Sequence, residues 1–233
     1  MTVSIIMPVR NAESTLRRSM DSVLSQTYRD FDLICVPNGC TDSSEEILSE
    51  YRRSDDRVSV VHSEPGIVPA LNRGLHAAAT DLIARQDADD LWYPDKLEAQ
   101  MEYMSHHPEV DILGVQIRCV DTDFEPFTSQ EKMRPLSDSD IKRSLLTAWN
   151  CIAHPGVVFR RRIMDRLGGY DDTFPFTEDY SLWLRAIQWY RFANLDRVLL
   201  DYTAKHNPKY SHEVPKFLCS VYRAAYGVNS DHI

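Results

Sequence analysis

The stretch "RQDADDLW", residues 85–92, sets three carboxylates within four positions directly behind the apolar run "DLIA". Side chains at alternate positions of an extended backbone share a face, so Asp87 and Asp89 are expected to project together, with Asp90 opposite. Two carboxylates at a strand end suit a hard divalent cation. Magnesium keeps several waters and takes one or two protein carboxylates plus substrate phosphates. Asp87 and Asp89 are therefore candidate metal and phosphate-site residues, with solvated surface acids as the alternative. Asp90 is expected to cap the helix that "DLWYPDKL" begins. A second acidic pair, Glu178 and Asp179 in "TEDY", opens another helical pattern, where Thr177 and the two acids make a favourable helix start.

Such residues act together only if the fold brings them to one place. The first half alternates strand and helix. "TVSIIMPV" reads as a strand, and a helix from about Ala12 to Gln26 carries Leu16, Met20, Val23 and Leu24 at helical spacing. "FDLICV" is a second strand, followed by a helix through Ile47, Leu48 and Tyr51 that Asp42 or Ser43 can cap. "RVSVVHS", "VPALNRGLHAAA" and "DLIARQ" continue as strand, helix and strand. This alternation predicts a parallel, twisted sheet covered on both faces, with ligands bound outside the carboxyl ends of its strands. "PVRNAE", "PNGCTD", "SEPG" and "DADD" are thus expected along one edge.

The second half is mixed. "YPDKLEAQMEYMSHH" is expected as a helix with Pro94 in its first turn. "VDILGVQIRCV" reads as a strand, "SDSDIKRSLLTAW" as a helix and "GVVFRR" as strand-like. "TEDYSLWLRAIQWY" is a helix and "RVLLDYTA" a strand. After the loop "NPKYSHE", "VPKFLCSVYRAAYG" forms a terminal helix with Phe217, Leu218, Val221 and Tyr222 on one side.

A chain of 233 residues, 43% hydrophobic and 26% charged, suits one α/β domain with a mixed central sheet. Its net charge of −9 excludes the basic footprint of a nucleic-acid groove. No apolar stretch reaches the length of a membrane-spanning helix, and the N-terminus shows no charged leader or cleavage pattern. A cytoplasmic protein is expected, with peripheral membrane contact left open. The five cysteines form no CxxC pair and read as reduced core thiols. Neither GxGxxG nor GxxxxGK[ST] occurs, and there is no GxSxG elbow, which leaves dinucleotide, P-loop and Ser-hydrolase chemistry without support.

The runs "VSIIMPVRNAESTLRRSMDSVLSQTY", "NGCTD", "ALNRG", "ARQDADDLWYPDKLEAQ" and "GGYDDTFPFTEDYSLWLRA" together resemble the motif order of family 2 glycosyltransferases. These are nucleotide-sugar-dependent enzymes of the GT-A fold. The resemblance runs from residue 2 to about 205. It implies a nucleotide-binding half at residues 1–90, an acceptor and catalytic half at 91–205, and a C-terminal loop and helix at 206–233 of a single domain.

By this resemblance, Pro8, Val9 and Arg10 of "PVRN" lie beside base and ribose. The family's next loop usually reads Asp-Asp-Gly-Ser, with a carboxylate on the uracil edge; here Pro37 and Asn38 stand there. An amide both donates and accepts, so Asn38 is a candidate base reader, the alternative being an Asn38–Gly39 turn. A UDP-sugar is the expected donor, with dTDP as another nucleotide that Asn38 admits. Asp87 falls near the ribose or a metal-bound water, and Asp89 on Mn²⁺ or Mg²⁺. Arg73 and Arg85 are candidate phosphate contacts or ordinary partners of nearby acids.

Asp179 corresponds to the base that removes the acceptor proton in an inverting displacement, with Glu178 beside it. His154 is a candidate acceptor or diphosphate contact or a structural histidine, and His206 a candidate phosphate or metal contact. Trp149 is the aromatic candidate for sugar stacking; Trp92, Trp183 and Trp189 are expected in the packing. The implied acceptor is a hydroxyl of a growing surface polysaccharide or lipid-linked saccharide. Two alternatives remain: a nucleotide-sugar-binding module with impaired catalysis, to which Pro37 points, and another metal-dependent nucleotidyl or phosphoryl transferase.

Overall fold

The computed structural model describes residues 1–123, 125–126, 133–173 and 177–203. Its first half is β1 (Val3–Val9), α1 (Leu16–Leu24), β2 (Phe31–Pro37), α2 (Ser44–Ser54), β3 (Val58–Val60), α3 (Ile67–Ala77) and β4 (Leu82–Arg85). These strands run parallel in the order β3-β2-β1-β4. β1 and β4 are buried along their whole length, as expected of apolar strands covered on both faces.

The second half adds β5 (Leu91–Trp92), α4 (Lys96–His106), β6 (Ile112–Val120), α5 (Asp138–Leu146), a 3-10 turn (His154–Gly156), β7 (Val158–Arg160), α6 (Arg162–Leu167), α7 (Glu178–Ala186) and β8 (Phe192–Thr203). It extends the sheet past β4 as β7-β6-β8-β5, with β7 antiparallel to both β4 and β6. The result is one eight-stranded mixed sheet with helices on both faces.

Alternation along β1 sorts the two cores. Val3, Ile5, Met7 and Val9 face α1, α2 and α4 through Leu16, Met20, Leu48, Leu97 and Met101, whereas Ile6 faces α3 and packs with Val36 and Leu71. The second core also takes in α5, α6 and α7, centred on Trp183, which is fully buried.

Several boundaries differ from those expected. The first helix starts at Leu16, not Ala12, because Ala12 O accepts from both Thr15 N (3.0 Å) and Leu16 N (2.8 Å) in a preceding turn. Pro94 lies outside α4, before its N-cap Asp95. "LW" of the expected helix start is instead β5, paired with β8 through Leu91–Asp201 and Trp92–Leu200. α6 was not anticipated, and Gly168 ends it in the left-handed conformation (φ 76°). Trp92 and Trp183 pack internally as expected; Trp189 does not. It is 54% exposed, with the Arg166 guanidinium stacked 3.7 Å from its ring centre. The terminal helix with Phe217, Leu218, Val221 and Tyr222 lies outside the described residues.

Candidate active site

The carboxyl ends of β1, β2, β3 and β4 carry the four polar loops to one edge, and hydrogen bonds knit them together. Asn11 Oδ1 accepts from Thr41 N (2.8 Å), Asp42 Oδ2 from Glu13 N (3.0 Å) and Glu13 Oε2 from Ser43 N (3.0 Å). Ser63 N donates to Pro37 O (3.3 Å), which ties the loop after β3 to the end of β2.

The acidic loop after β4 is a turn, not an extended strand end: Asp90 N donates to Asp87 O (3.3 Å). The expected arrangement, with Asp90 opposite Asp87 and Asp89, is therefore corrected. The turn gathers carboxylate oxygens of Asp87, Asp89 and Asp90 within 4.8 Å of one another. Asp90 caps no helix either. Its Oδ1 accepts from Thr203 N at the end of β8 (2.7 Å).

Each backbone carbonyl of this loop has a side-chain donor. Ser19 Oγ donates to Asp87 O (2.8 Å), Thr15 Oγ1 to Ala88 O (2.9 Å), Thr203 Oγ1 to Asp89 O (2.5 Å) and Gln86 Nε2 to Asp90 O (2.8 Å). Hydroxyls from the start of α1 and the end of β8 thus fix the loop from two sides.

The three carboxylates suit a hard cation by ligand chemistry: all donors are oxygens, the set preferred by Mg²⁺ and Mn²⁺. Asp90 supplies a further sign of fit, since its Oδ2 is buried without a hydrogen-bond partner. Burial, then the Asp87 and Asp89 charges, push the Asp90 carboxyl well above the usual carboxylate range.

Arg85, the last residue of β4, is only 4% exposed, so its guanidinium is buried and not presented to solvent. Nη1 forms an ion pair with Asp87, and Nε has no hydrogen-bond partner. Burial pulls this guanidinium's pKa down. The Asp87 carboxylate, with Tyr170 and Asp90, outweighs that and holds it above the ordinary arginine value.

The second acidic pair opens α7. Glu178 is buried, its Oε2 unpartnered, and burial followed by the Asp179 charge raises its pKa to about 7. Asp179 is half-buried. Its Oδ2 accepts from Asn150 Nδ2 (2.8 Å) and its Oδ1 from Tyr180 N (2.7 Å). Burial raises the Asp179 carboxyl, while the Asn150 bond, the Tyr180 N–H and Arg85 pull it back. Thr177 is the N-cap residue of α7 and Glu178 and Asp179 fill its first turn, the expected helix start, although the Thr177 side chain makes no capping bond.

The two acidic centres act on one another. The Arg85 charge lowers both Glu178 and Asp179, and the Asp87 charge raises Glu178. Tyr202 on β8 is raised by burial and by Asp87, Asp90 and Asp179 together. The acidic loop and the start of α7 therefore border one electrostatic environment.

The remaining candidates are distributed as follows. Pro8 and Val9 are buried in β1 and Arg10 is exposed just after it. Asn38 is buried; its Nδ2 donates to Val9 O (2.9 Å) and Val36 O (3.4 Å), and its Oδ1 accepts from Gly66 N (3.3 Å). With the amide engaged on the main chain, the turn reading of Asn38 is favoured over direct base contact. Arg73 is exposed and lines a cavity of about 530 Å³ with His62, Ser63, Glu64 and Pro69.

His154 is buried in the 3-10 turn, its Nε2 2.8 Å from the Tyr170 hydroxyl. Burial and the Arg85 charge hold it well below the usual histidine pKa, hence neutral. Trp149 is half-buried beside Asn150. His206 lies outside the described residues. Asn150, Tyr170 and Tyr202 were not anticipated: Tyr170 lies within the quoted run "GGYDD" but nothing there marks its role, no motif marks the other two, and only tertiary packing brings them here.

Comparison with known proteins follows the same lines. The glycosyl transferase family 2 model matches residues 4–168. The O-antigen biosynthesis glycosyltransferase WbnJ of Escherichia coli is 31% identical over 226 residues, covering 94% of this chain and 86% of WbnJ. The amylovoran biosynthesis glycosyltransferase AmsE of Erwinia amylovora is 30% identical over 206 residues, covering 86% and 76% respectively.

Among solved structures, S. aureus TarS 1-349 in complex with UDP-GlcNAc superposes with a TM-score of 0.75 at 18% identity over 95% of this chain. The mannosyltransferase PcManGT from Pyrobaculum calidifontis, in complex with GDP-Man and Mn²⁺, gives 0.71 at 19% identity over 97%. This chain spans 66% and 64% of those two chains, and the likeness is one of fold, the GT-A fold. The match to the family model and to WbnJ across most of both lengths goes further than fold: this chain belongs to glycosyl transferase family 2.

Proposed function

We propose that the chain transfers one sugar from a nucleotide-sugar donor, a UDP-sugar, to a saccharide hydroxyl with inversion at the anomeric carbon. The observation that carries this reading, within the family the chain belongs to, is the cluster of Asp87, Asp89 and Asp90 carboxylates at the carboxyl end of β4, a site suited to a cation and donor phosphates. On this reading residues 1–90 form the nucleotide-binding half, and 91–205 the acceptor and catalytic half of a single domain.

Asp89 and Asp87 are the proposed ligands of Mn²⁺ or Mg²⁺. A cation held there supplies positive charge that offsets the charge gathering on the leaving nucleoside diphosphate. The chain's own residues do the rest. Arg10 stands at the mouth of the nucleoside loop, while Pro8, Val9 and Asn38 act through the shape of that loop. Arg85, buried and paired with Asp87, orients this carboxylate and does not itself grip phosphate. Asp179 takes the proton of the acceptor hydroxyl as its oxygen bonds to the anomeric carbon and the bond from that carbon to the diphosphate breaks. Glu178 sits beside it as a carboxyl held largely protonated below neutral pH.

The names of WbnJ and AmsE support a surface-polysaccharide acceptor, free or lipid-linked. The UDP-GlcNAc on TarS supports the UDP-sugar reading, and the Mn²⁺ on PcManGT the metal requirement. No helix of the described residues is long and apolar enough to cross a membrane. The reading assigns the enzyme to the cytoplasm, with peripheral contact to any membrane that carries its acceptor.

Two substitutions test it. Asp89→Ala is expected to abolish the Mn²⁺-dependent part of UDP binding, followed by thermal shift; undiminished metal-dependent binding would remove the proposal's centre. Asp179→Asn is expected to leave that binding intact and lower turnover by about 100-fold or more, the usual scale for a lost general base. Turnover close to wild type would mean the base lies elsewhere.

A further inference from the structure

α5 does not run straight into the segment behind the proposed base; it winds down. Thr147 N donates to Arg143 O and Ser144 O (both 3.1 Å), and Ala148 N to Leu145 O (3.4 Å). Ala148 then takes the left-handed conformation (φ 66°), which disfavours any residue with a side chain, and Trp149 N returns to Ser144 O (3.0 Å). Tyr180, next to Asp179, hydrogen-bonds through its hydroxyl to Leu145 O and locks the end of α5 to the start of α7. This turn delivers one polar side chain to the acidic pair: Asn150, whose Nδ2 lies 2.8 Å from Asp179 Oδ2.

We propose that Asn150 is the positioning residue of the proposed base, aiming the Asp179 carboxylate at the acceptor hydroxyl. The inference rests on the reading of Asp179 given above. Asp179 Oδ1 is already engaged by Tyr180 N, so the Asn150 bond to Oδ2 fixes the second oxygen and with it the plane of the carboxylate. Asn150 donates through N–H only and competes for no proton, so it orients the base without taking over its task.

The bond also has an electrostatic effect, because donation to the charged form favours that form. The titratable groups around Asp179 are Glu178 on its own helix, Arg85 from β4, and the uncharged phenols of Tyr170 and Tyr202 from the loop after α6 and from β8. Asn150 is the side chain that donates to Asp179, and after burial its bond is the largest influence on this carboxyl.

Asn150→Ala and the equal-sized Asn150→Asp, which lacks the N–H donor, test the idea beside Asp179→Asn. The readouts are kcat, the KM for UDP-sugar, the pH profile of kcat and the melting temperature. Both Asn150 variants are expected to fold and to keep donor KM within about twofold. Their kcat should drop by roughly 10-fold or more, the scale of a lost hydrogen bond to a charged group. The acidic limb of the profile should move to higher pH, further in Asn150→Asp.

A folded Asn150→Ala with wild-type kcat and profile overturns the inference; should that variant fail to fold, the same result in Asn150→Asp does so. If Asp179→Asn is inactive while the Asn150 variants behave as wild type, only the positioning role fails. Activity that survives Asp179→Asn overturns the base and this inference together.

Discussion

Glu178 shows how much of a residue's chemistry lies in its surroundings. Buried beside Asp179, with one oxygen unpartnered, its carboxyl is raised to about 7. The folded protein therefore holds a proton that the unfolded chain releases near the ordinary glutamate value. Its contribution to stability is full below that value and is lost as pH rises through about 7. Glu178→Gln is expected to flatten this decline, gaining on the order of 2–3 kcal/mol over wild type near pH 8 relative to pH 4.5. Urea denaturation across that interval measures it, and parallel curves for both proteins would contradict the assignment.

The acids themselves were legible in the sequence, because "DADD" and "TED" announce carboxylates at element ends. Their environment was not. Whether Arg85 faced phosphate or an acid depended on its burial, and whether Asn38 read a base or braced a turn depended on where Val9 O and Gly66 N lay. Neither is a property of local spacing.

Elements place these residues by close approach. α3 lies against β1 at Gly74, where an added Cβ would stand 2.4 Å from Ile6 Cγ2. Gly74→Ala is expected to push the helix off the sheet and destabilise the fold by about 1–3 kcal/mol, as overpacked cores do. A melting curve decides this, and an unchanged midpoint would show that the contact yields.

α4 carries a different burden. Lys96 is fully buried, and among the described residues Gln100 Oε1 (2.8 Å) and the Trp92 ring (3.6 Å to its centre) face its ammonium. Neither is an anion, so burial draws its pKa well below the usual lysine value. A lysine depressed in this way weakens the fold at neutral pH and less so as pH rises towards its unfolded value. Lys96→Met, similar in length and uncharged, should raise the melting temperature at pH 7, by more than at pH 10. Equal shifts at both would mean the amine is not the cause.

At this scale the long periodic elements were readable and the short ones were not. β5 is two residues long and owes its existence to β8, and α6 is a six-residue helix stopped by a glycine. Pattern reasoning has little to work with in either.

Across the whole molecule, the alternating first half predicted its parallel sheet because apolar runs buried on both faces leave few other arrangements. The antiparallel insertion of β7 between β4 and β6 had no such signature; it follows from long-range pairing. The assembled sheet holds the acidic loop at the carboxyl end of β4, and ligand binding there should register in global stability. UDP with Mn²⁺ at about 100 times its dissociation constant is expected to add about 2.7 kcal/mol, an increment that chelation with EDTA removes. A UDP-induced shift equally large in EDTA would argue against a metal at the acidic loop.

The hydroxyls of Thr15, Ser19 and Thr203 on the carbonyls of the acidic loop carry a consequence for anyone wishing to transplant it. Grafted alone onto another α/β scaffold, the four letters DADD would arrive without the pegs that hold their shape, and three crowded anions would spring apart. The portable unit is the turn together with the first helix and the tip of the last strand, contributed by stretches of chain nearly two hundred residues apart.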